Sequence, residues 1–444
     1  MSYNDKPGIW SKFRRKNAKG ERGAEREHAP HVELPHSVKV TRQRSRIGRD
    51  PSFPSFSSKA GLKQGDAQFA SAMKRLRQSF TPSHPVSNSR LFAGRRALLE
   101  KIVSLLEDQH LHLVLYGDRG IGKTSLMRIV AELANDADYY VSYTSCGKDT
   151  RFDALIRGIA GRIPLLFHRD FDPTENVVEE GNTLESLFHA GEVSVSDATS
   201  VFENLHGTQF LFLLDEFDRV ASSEVREQIA ELIKNLSDRG ATVQFVIAGV
   251  ASNLTALFSH IPSIRRNLIG IPVDRLSDRE TRNLVELGAS RSGVKFSNKA
   301  LDLLATWSRG LPYIAQLLAL HASLVALRGG KQTVDIRDVE AAGDEAEEEI
   351  GLRLSDTARR VIQAEQKKNN LADLRTLAIA ASEHADVLPE AVLGRLDRTV
   401  RAELFKVAGG RTHFAEEASI PFILLVSRGG DDKDEPVDRV RLPR

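Results

Sequence analysis

Between Leu111 and Val250, short apolar runs alternate with stretches whose apolar positions recur every three or four residues. Residues 111–116 (LHLVLY), 139–144 (YYVSYT), 209–214 (QFLFLL) and 242–250 (TVQFVIAGV) read as strands. The last two are almost wholly apolar, as strands become when both faces of a parallel sheet are covered. Helical spacing falls at 123–133, 152–160 and 223–236. Strand and helix in turn predict an α/β fold built on a parallel sheet. Residues 164–207 break the rhythm: long and acidic in places, they predict an insertion on the sheet's edge or face.

From Ser277 the pattern turns helical. Ser277-Asp-Arg-Glu280 has capping-box spacing and opens a helix to about Ser292, with further helices predicted at 298–307, 312–327 and 335–349. Helices over 371–383 and 389–407 follow, and RTHFAEEASIPFILLVS after them reads as a small hairpin before a charged tail. At the other end, residues 1–64 show no sustained period and are rich in Pro, Ser, Lys and Arg, which predicts a disordered arm. Residues 65–90 comprise an amphipathic helix and a Pro/Ser linker. Phe69, Met73, Leu76 and Phe80 share one face of the helix, set to dock on the body, while Lys74, Arg75 and Arg77 lie elsewhere.

Charge sharpens this division. The net +2 sums two opposed parts: residues 1–100 hold 21 Lys and Arg against 8 Asp and Glu, a net +13, leaving −11 for residues 101–444. A basic arm on an acidic body is either a solvated tail or a surface for an anionic partner such as nucleic acid. The single cysteine, Cys146, excludes an internal disulfide and a cysteine metal cluster. The polar first residues predict no secretory leader, and the longest apolar run, Leu311–Leu327, is interrupted by Pro312, Gln316, His321 and Ser323. A cytoplasmic protein that does not enter a membrane is the expectation, with His321 a packed core histidine.

The chemistry concentrates at two places. Gly117-Asp118-Arg119-Gly120-Ile121-Gly122-Lys123-Thr124 matches G-x-x-x-x-G-K-[ST] in full, and it follows a strand and opens a helix. Its glycines let backbone N–H groups turn toward phosphates, and the helix N-terminus adds positive potential, so residues 117–125, Ser125 included, are the predicted cradle. Lys123 sets a cation against the β- and γ-phosphates, and Thr124 offers Mg²⁺ a hydroxyl. Downstream, Asp215 and Glu216 end an apolar strand expected beside the P-loop strand. Asp215 suits a metal held through water, and Glu216 suits polarisation of an attacking water.

With Phe92-Ala-Gly-Arg95, Leu98 and Leu99 upstream and Gly310-Leu-Pro312 downstream, the chain resembles the AAA+ superfamily over residues 80–350. It is similar in particular to the bacterial branch neighbouring the origin-recognition initiators and the STAND signalling ATPases. The resemblance implies a P-loop NTPase core of the ASCE type at 91–276, a helical lid at 277–350 and a winged-helix-like domain at 351–444. It implies ATP and Mg²⁺ as ligand and cofactor. It sets Pro85, Val86, Phe92 and Gly94 near the adenine and Pro312 near the nucleotide. It makes Arg266, then Arg265, the candidate finger that reaches a neighbouring subunit's site, with Lys123 and Glu216 the other catalytic residues. Ser252 and Asn253 are candidates for sensor 1, although Gly249 and Val250 hold the usual places; a sensor 2 arginine is missing from the lid helix. The resemblance thus implies a slow ATPase acting as an oligomerising switch, with a partner protein as its output. The alternative is a DNA-bound clamp that uses the basic arm and the C-terminal domain.

Overall fold

The computed structural model describes residues 64–82, 92–117, 120–172, 182–251, 257–258, 266–383, 388–408, 411–416 and 418–428. The arm at 1–63 and most of the linker after the amphipathic helix lie outside them.

Five parallel strands form the central sheet: β1 (His112–Gly117), β2 (Tyr140–Ser145), β3 (Phe210–Asp215), β4 (Val243–Val250) and β5 (Leu268–Pro272), in the order β2-β3-β4-β1-β5. One sequence expectation is corrected here. β3 is not beside β1, because β4 lies between them and pairs with both. The acidic end of β3 is therefore one strand further from the P-loop strand.

The two-residue period of each strand decides which layer it feeds. Leu113, Leu115, Leu211, Leu213, Val246 and Ala248 point to one side, where helix α3 (Lys123–Asp136) brings Leu126, Met127 and Val130. Helix α2 (Arg96–Glu107) joins that layer through Ile102, Leu105 and Leu106. Val114, Phe210, Phe212, Leu214, Phe245 and Ile247 point to the other side. There they meet α4 (Phe152–Ala160), α5 (Val195–Phe202) and α6 (Ser223–Asp238). The described residues of the 164–207 segment thus cover a sheet face, with Phe202 of α5 edge-on to Phe212 at 5.3 Å.

The capping box is formed: Ser277 Oγ accepts from the Glu280 N–H, and Glu280 Oε2 accepts from the Ser277 N–H at 2.9 Å, opening α7 (Asp278–Ser292). Then come α8 (Asn298–Ser308), α9 (Pro312–Arg328) and α10 (Ile336–Gly351), with β6 (Lys295–Phe296) pairing β7 (Thr333–Val334). The apolar run is α9, largely buried against its neighbours; among the described residues no helix is long and apolar enough to cross a membrane. His321 differs from a simply packed core histidine: its ring nitrogens face Glu345 at 2.9 Å and Glu349 at 3.1 Å.

Helix α1 (Gln64–Ser79) docks by its apolar stripe, and the surface it finds is α7 and α9. Leu76 and Phe80 are fully buried, contributing about 1.5–3 kcal/mol each. Phe80 enters at Gly288, where a Cβ would stand 2.3 Å from its ring, and Thr81 N–H donates to Gln316 Oε1 at 2.8 Å.

The C-terminal part contains α11 (Asp356–Lys367), α12 (Ala372–Glu383), α13 (Glu390–Leu393), α14 (Arg398–Leu404), β8 (Phe405–Ala408), β9 (Arg411–Phe414) and α15 (Ser419–Val426). Here the expected long helix over 389–407 is broken. Gly394 closes α13, Asp397 caps α14 by accepting the Thr399 N–H, and Phe405 is already extended. The hairpin is β8 with β9, so its first strand lies upstream of the segment chosen from sequence, and SIPFILLV is a helix. Seen alone, an apolar run that short fits a buried strand or a buried helix equally well. Arg428 holds this region to the lid: it pairs with Glu347 at 2.7 Å and with Asp344, and lies over the Trp307 ring.

Candidate active site

The P-loop occupies the step from β1 to α3. Gly120 and Gly122 are left-handed, and Gly122, as N-cap, brings no side chain to the first-turn N–H groups of α3. Those groups and the helix dipole make an anion site. Lys123 is buried, and its ammonium donates to the Gly117 carbonyl at 2.8 Å, folding back over the loop. Ile121 is buried, and Thr124 and Ser125 are half-buried. Asp118 and Arg119 lie outside the described residues.

Asp215 ends β3 and is buried. Its Oδ1 accepts the Glu216 N–H at 2.9 Å, and its Oδ2 accepts the Tyr143 hydroxyl at 2.5 Å. Burial, then the contact with Asp215, holds the Tyr143 phenol above its usual range, opposed by the positive charge of Arg128 on α3. Glu216 is left-handed at φ 55°, and its Oε2 accepts from Arg219 Nη1 at 2.8 Å and from Ser145 Oγ at 3.2 Å. Cys146 sits beside this acidic turn; burial and the charges of Asp215, Glu216 and Asp218 push its thiol up to about 12, so it stays protonated.

Gly249 stands in a tight place at the end of β4. A Cβ at Gly249 would lie 3.0 Å from Leu257 and 3.1 Å from both the Asp218 amide nitrogen and its Oδ1, and that carboxylate accepts the Val250 N–H at 2.8 Å. The end of β4 and the turn after β3 are packed together at glycine distance. Ser252 and Asn253 lie outside the described residues.

Arg95, quoted above only as part of a motif, reaches the P-loop. It is the left-handed N-cap of α2, with its side chain buried, donating from Nη2 to the Asp274 carbonyl and from its backbone N–H to Glu280 Oε1 at 2.7 Å. Burial pushes its pKa down to about 10, with Glu280 and Asp274 opposing, so it remains cationic at neutral pH. Beside Gly122, the place of a Cβ is bounded by Arg95 Nη1 at 3.3 Å and Pro312 Cγ at 3.8 Å. Pro312, first residue of α9, is thus brought to the P-loop. Gly94 abuts Glu280, with 3.1 Å between its Cβ position and that side chain, and Phe92 is half-buried against the larger core. Pro85, Val86 and Arg265 lie outside the described residues, and Arg266 is exposed just before β5.

The donor set fits Mg²⁺: a half-buried hydroxyl at Thr124 and a buried carboxylate at Asp215 are the hard oxygen ligands this ion takes beside phosphate and water.

Residues 80–375, two thirds of the chain, match the family described as Novel STAND NTPase 1. The chain belongs to this family. The residues matched to the STAND NTPase family include the P-loop and the acidic end of β3. No curated protein matches the chain. Among solved structures it is similar to Cdc6p from Pyrobaculum aerophilum, at 16% identity and TM-score 0.44, covering 79% of this chain and 97% of that one. It is also similar to the Aeropyrum pernix Orc1 protein in complex with DNA, at 17%, 0.43, 78% and 95%. A third is the Thermotoga maritima RuvB Holliday junction branch migration motor, at 16%, 0.40, 75% and 95%.

Sequence reasoning missed Tyr143 and Glu280, which the fold brings to Asp215 and to Arg95. Tyr143 left no motif; Glu280 was legible only as a cap; Arg95 was visible in its motif without a role.

Proposed function

We propose that this chain binds and hydrolyses ATP with Mg²⁺ and works as a nucleotide-controlled switch that oligomerises and signals through a partner protein. Support comes above all from Arg95 and Pro312, which stand against Gly122 from the core side and the lid side of the P-loop. A nucleotide there is read by both parts at once. In this reading Lys123, Arg95 and the N–H groups of residues 117–125 bind phosphate, and Thr124 and Asp215 hold the metal. The metal, when bound, neutralises charge on the transferred phosphoryl oxygens. Glu216 orients the attacking water, Phe92 and Val86 border the base, and Arg266, exposed before β5, serves the adjoining subunit.

The proposed division is a core over 91–276 carrying the 164–207 insertion, a lid over 277–350, and a winged-helix-like domain over 351–444 supported by its helices and the β8–β9 hairpin. A second reading, an ATP-dependent clamp on DNA, draws on the +13 of residues 1–100 and on Lys74, Arg75 and Arg77, all exposed on the outer face of α1.

The test is nucleotide binding and turnover by Lys123→Ala, Glu216→Gln and Arg266→Ala. Lys123→Ala abolishes binding; Glu216→Gln keeps ATP while losing about 10²-fold or more in turnover; Arg266→Ala binds normally and turns over slowly. Equal ATP affinity in Lys123→Ala and the parent overturns the proposal. Light scattering with a non-hydrolysable ATP analogue, with and without DNA, separates the two readings: ATP-dependent oligomers that ignore DNA leave the switch alone.

A further inference from the structure

The buried end of β3 holds more hydrogen-bonding order than a metal carboxylate needs for folding. Asp215 offers two carboxylate oxygens, and each already accepts one donor: its own neighbour's N–H on Oδ1 and the Tyr143 hydroxyl on Oδ2. Two donors on opposite oxygens fix the plane of the carboxylate, while each oxygen keeps a further lone pair. Tyr143 stands on the edge strand β2, which pairs with β3, and its one hydroxyl proton is directed at Asp215. The carboxylate is therefore held from a neighbouring strand as well as from its own backbone.

We propose that Tyr143 is a positioning residue for the divalent cation: it sets the carboxylate of Asp215 in the attitude in which it receives Mg²⁺. This rests on the assignment of Thr124 and Asp215 as the metal's residues. Without the phenol hydroxyl, the carboxylate turns about its χ2 with only the Glu216 N–H to hold it, and part of the metal's binding energy goes into ordering it. Hydrogen-bond partners of metal ligands typically set affinity by 10- to 100-fold. The water-mediated contact expected for Mg²⁺ places the effect at the lower end.

The experiment uses the full chain and a fluorescent ATP analogue, titrated in EDTA and at graded Mg²⁺ and Mn²⁺. Two quantities are read: the ratio of nucleotide affinity with metal to that without, and the metal concentration at half-effect. In Tyr143→Phe the ratio falls about tenfold and the Mg²⁺ midpoint rises by a similar factor. Tyr143→Leu, which also removes the hydroxyl, shifts both in the same direction and covers the case in which Tyr143→Phe does not fold. A purely structural role lowers affinity equally with and without metal and leaves the ratio alone, so an unchanged ratio in both variants overturns the inference. Asp215→Asn is the reference for the underlying assignment. If it keeps the parent's ratio, the assignment of Asp215 fails; if it loses the metal effect while Tyr143→Phe keeps it, only the role of Tyr143 fails.

Discussion

The backbone N–H of Arg95 donates to the carboxylate of Glu280 at 2.7 Å, joining the start of the first core helix to the first turn of the lid. The same carboxylate closes the Ser277 capping box. Burial alone would raise its pKa, yet the donors from Ser277 and Arg95 outweigh that and hold it below the usual carboxylate range. Glu280→Ala removes a cap, worth about 1 kcal/mol, and leaves the Arg95 N–H without its acceptor, at about 1–3 kcal/mol. We expect about 2–3 kcal/mol lost in urea unfolding, with weakened ATP binding because Arg95 also borders Gly122. A loss under about 0.5 kcal/mol would contradict the role of this contact.

Glu216 is engaged at rest. Arg219 and Ser145 both donate to its Oε2, so the carboxylate must give up these partners to take up the role proposed for it. The pair is half-exposed, so its strength is at most about 1 kcal/mol. Arg219→Ala should raise steady-state ATP turnover by up to about fivefold, which is that energy expressed as a rate. A fall in turnover would show instead that Arg219 is needed for the reaction.

The seat of Phe80 predicts an unusual result for a helix substitution. Glycine to alanine inside a helix ordinarily gains about 1 kcal/mol. At Gly288 the new Cβ would meet the Phe80 ring at 2.3 Å, and that ring is too buried to give way. Gly288→Ala should therefore destabilise the docking of α1 and let the helix unwind, read as faster tryptic cleavage at Lys74, Arg75 and Arg77, whose side chains are already exposed but whose backbone is helical in the parent. Cleavage at the parent's rate would refute it.

His112 gives a pH signature. Burial pushes its pKa down to about 4 from 6.5; Nδ1 accepts the Phe245 N–H at 3.0 Å and Nε2 meets Ser237 Oγ at 2.9 Å. The neutral ring is the folded form, so its stability contribution is complete above pH 6.5 and is lost as pH falls toward 4. The slope is about 1.4 kcal/mol per pH unit, amounting to about 2 kcal/mol at pH 5. Thermal melts between pH 7 and 5 should show this slope in the parent and a shallower one in His112→Gln; equal slopes would assign the pH dependence to other groups.

What could be read from sequence was whatever local chemistry dictates. The strand runs, the capping box at Ser277 and the turn of the P-loop each depend on residues within one or two turns of chain, and each is where the pattern put it. Strand order was not legible, because the insertion of β4 between β1 and β3 depends on crossover geometry rather than on any residue of those strands. The same limit hid Arg95 and Tyr143. Arg95 meets Glu280 across 185 positions and Tyr143 meets Asp215 across 72, distances over which no spacing rule operates. SIPFILLV was misread for the opposite reason: its composition is so uniformly apolar that it carries no period to read.

The glycine at the end of β4 also limits what this protein can become. A side chain at Gly249 would press on Asp218 and Leu257, which would have to give by a few tenths of an ångström to admit it. Shortening Asp218 first would open the space but strip the Val250 N–H of its acceptor, so the intermediate is damaged before the second change can help. Any change at this end of β4 is therefore felt in the turn that follows Asp215 and Glu216, so the two strand ends can only be altered together.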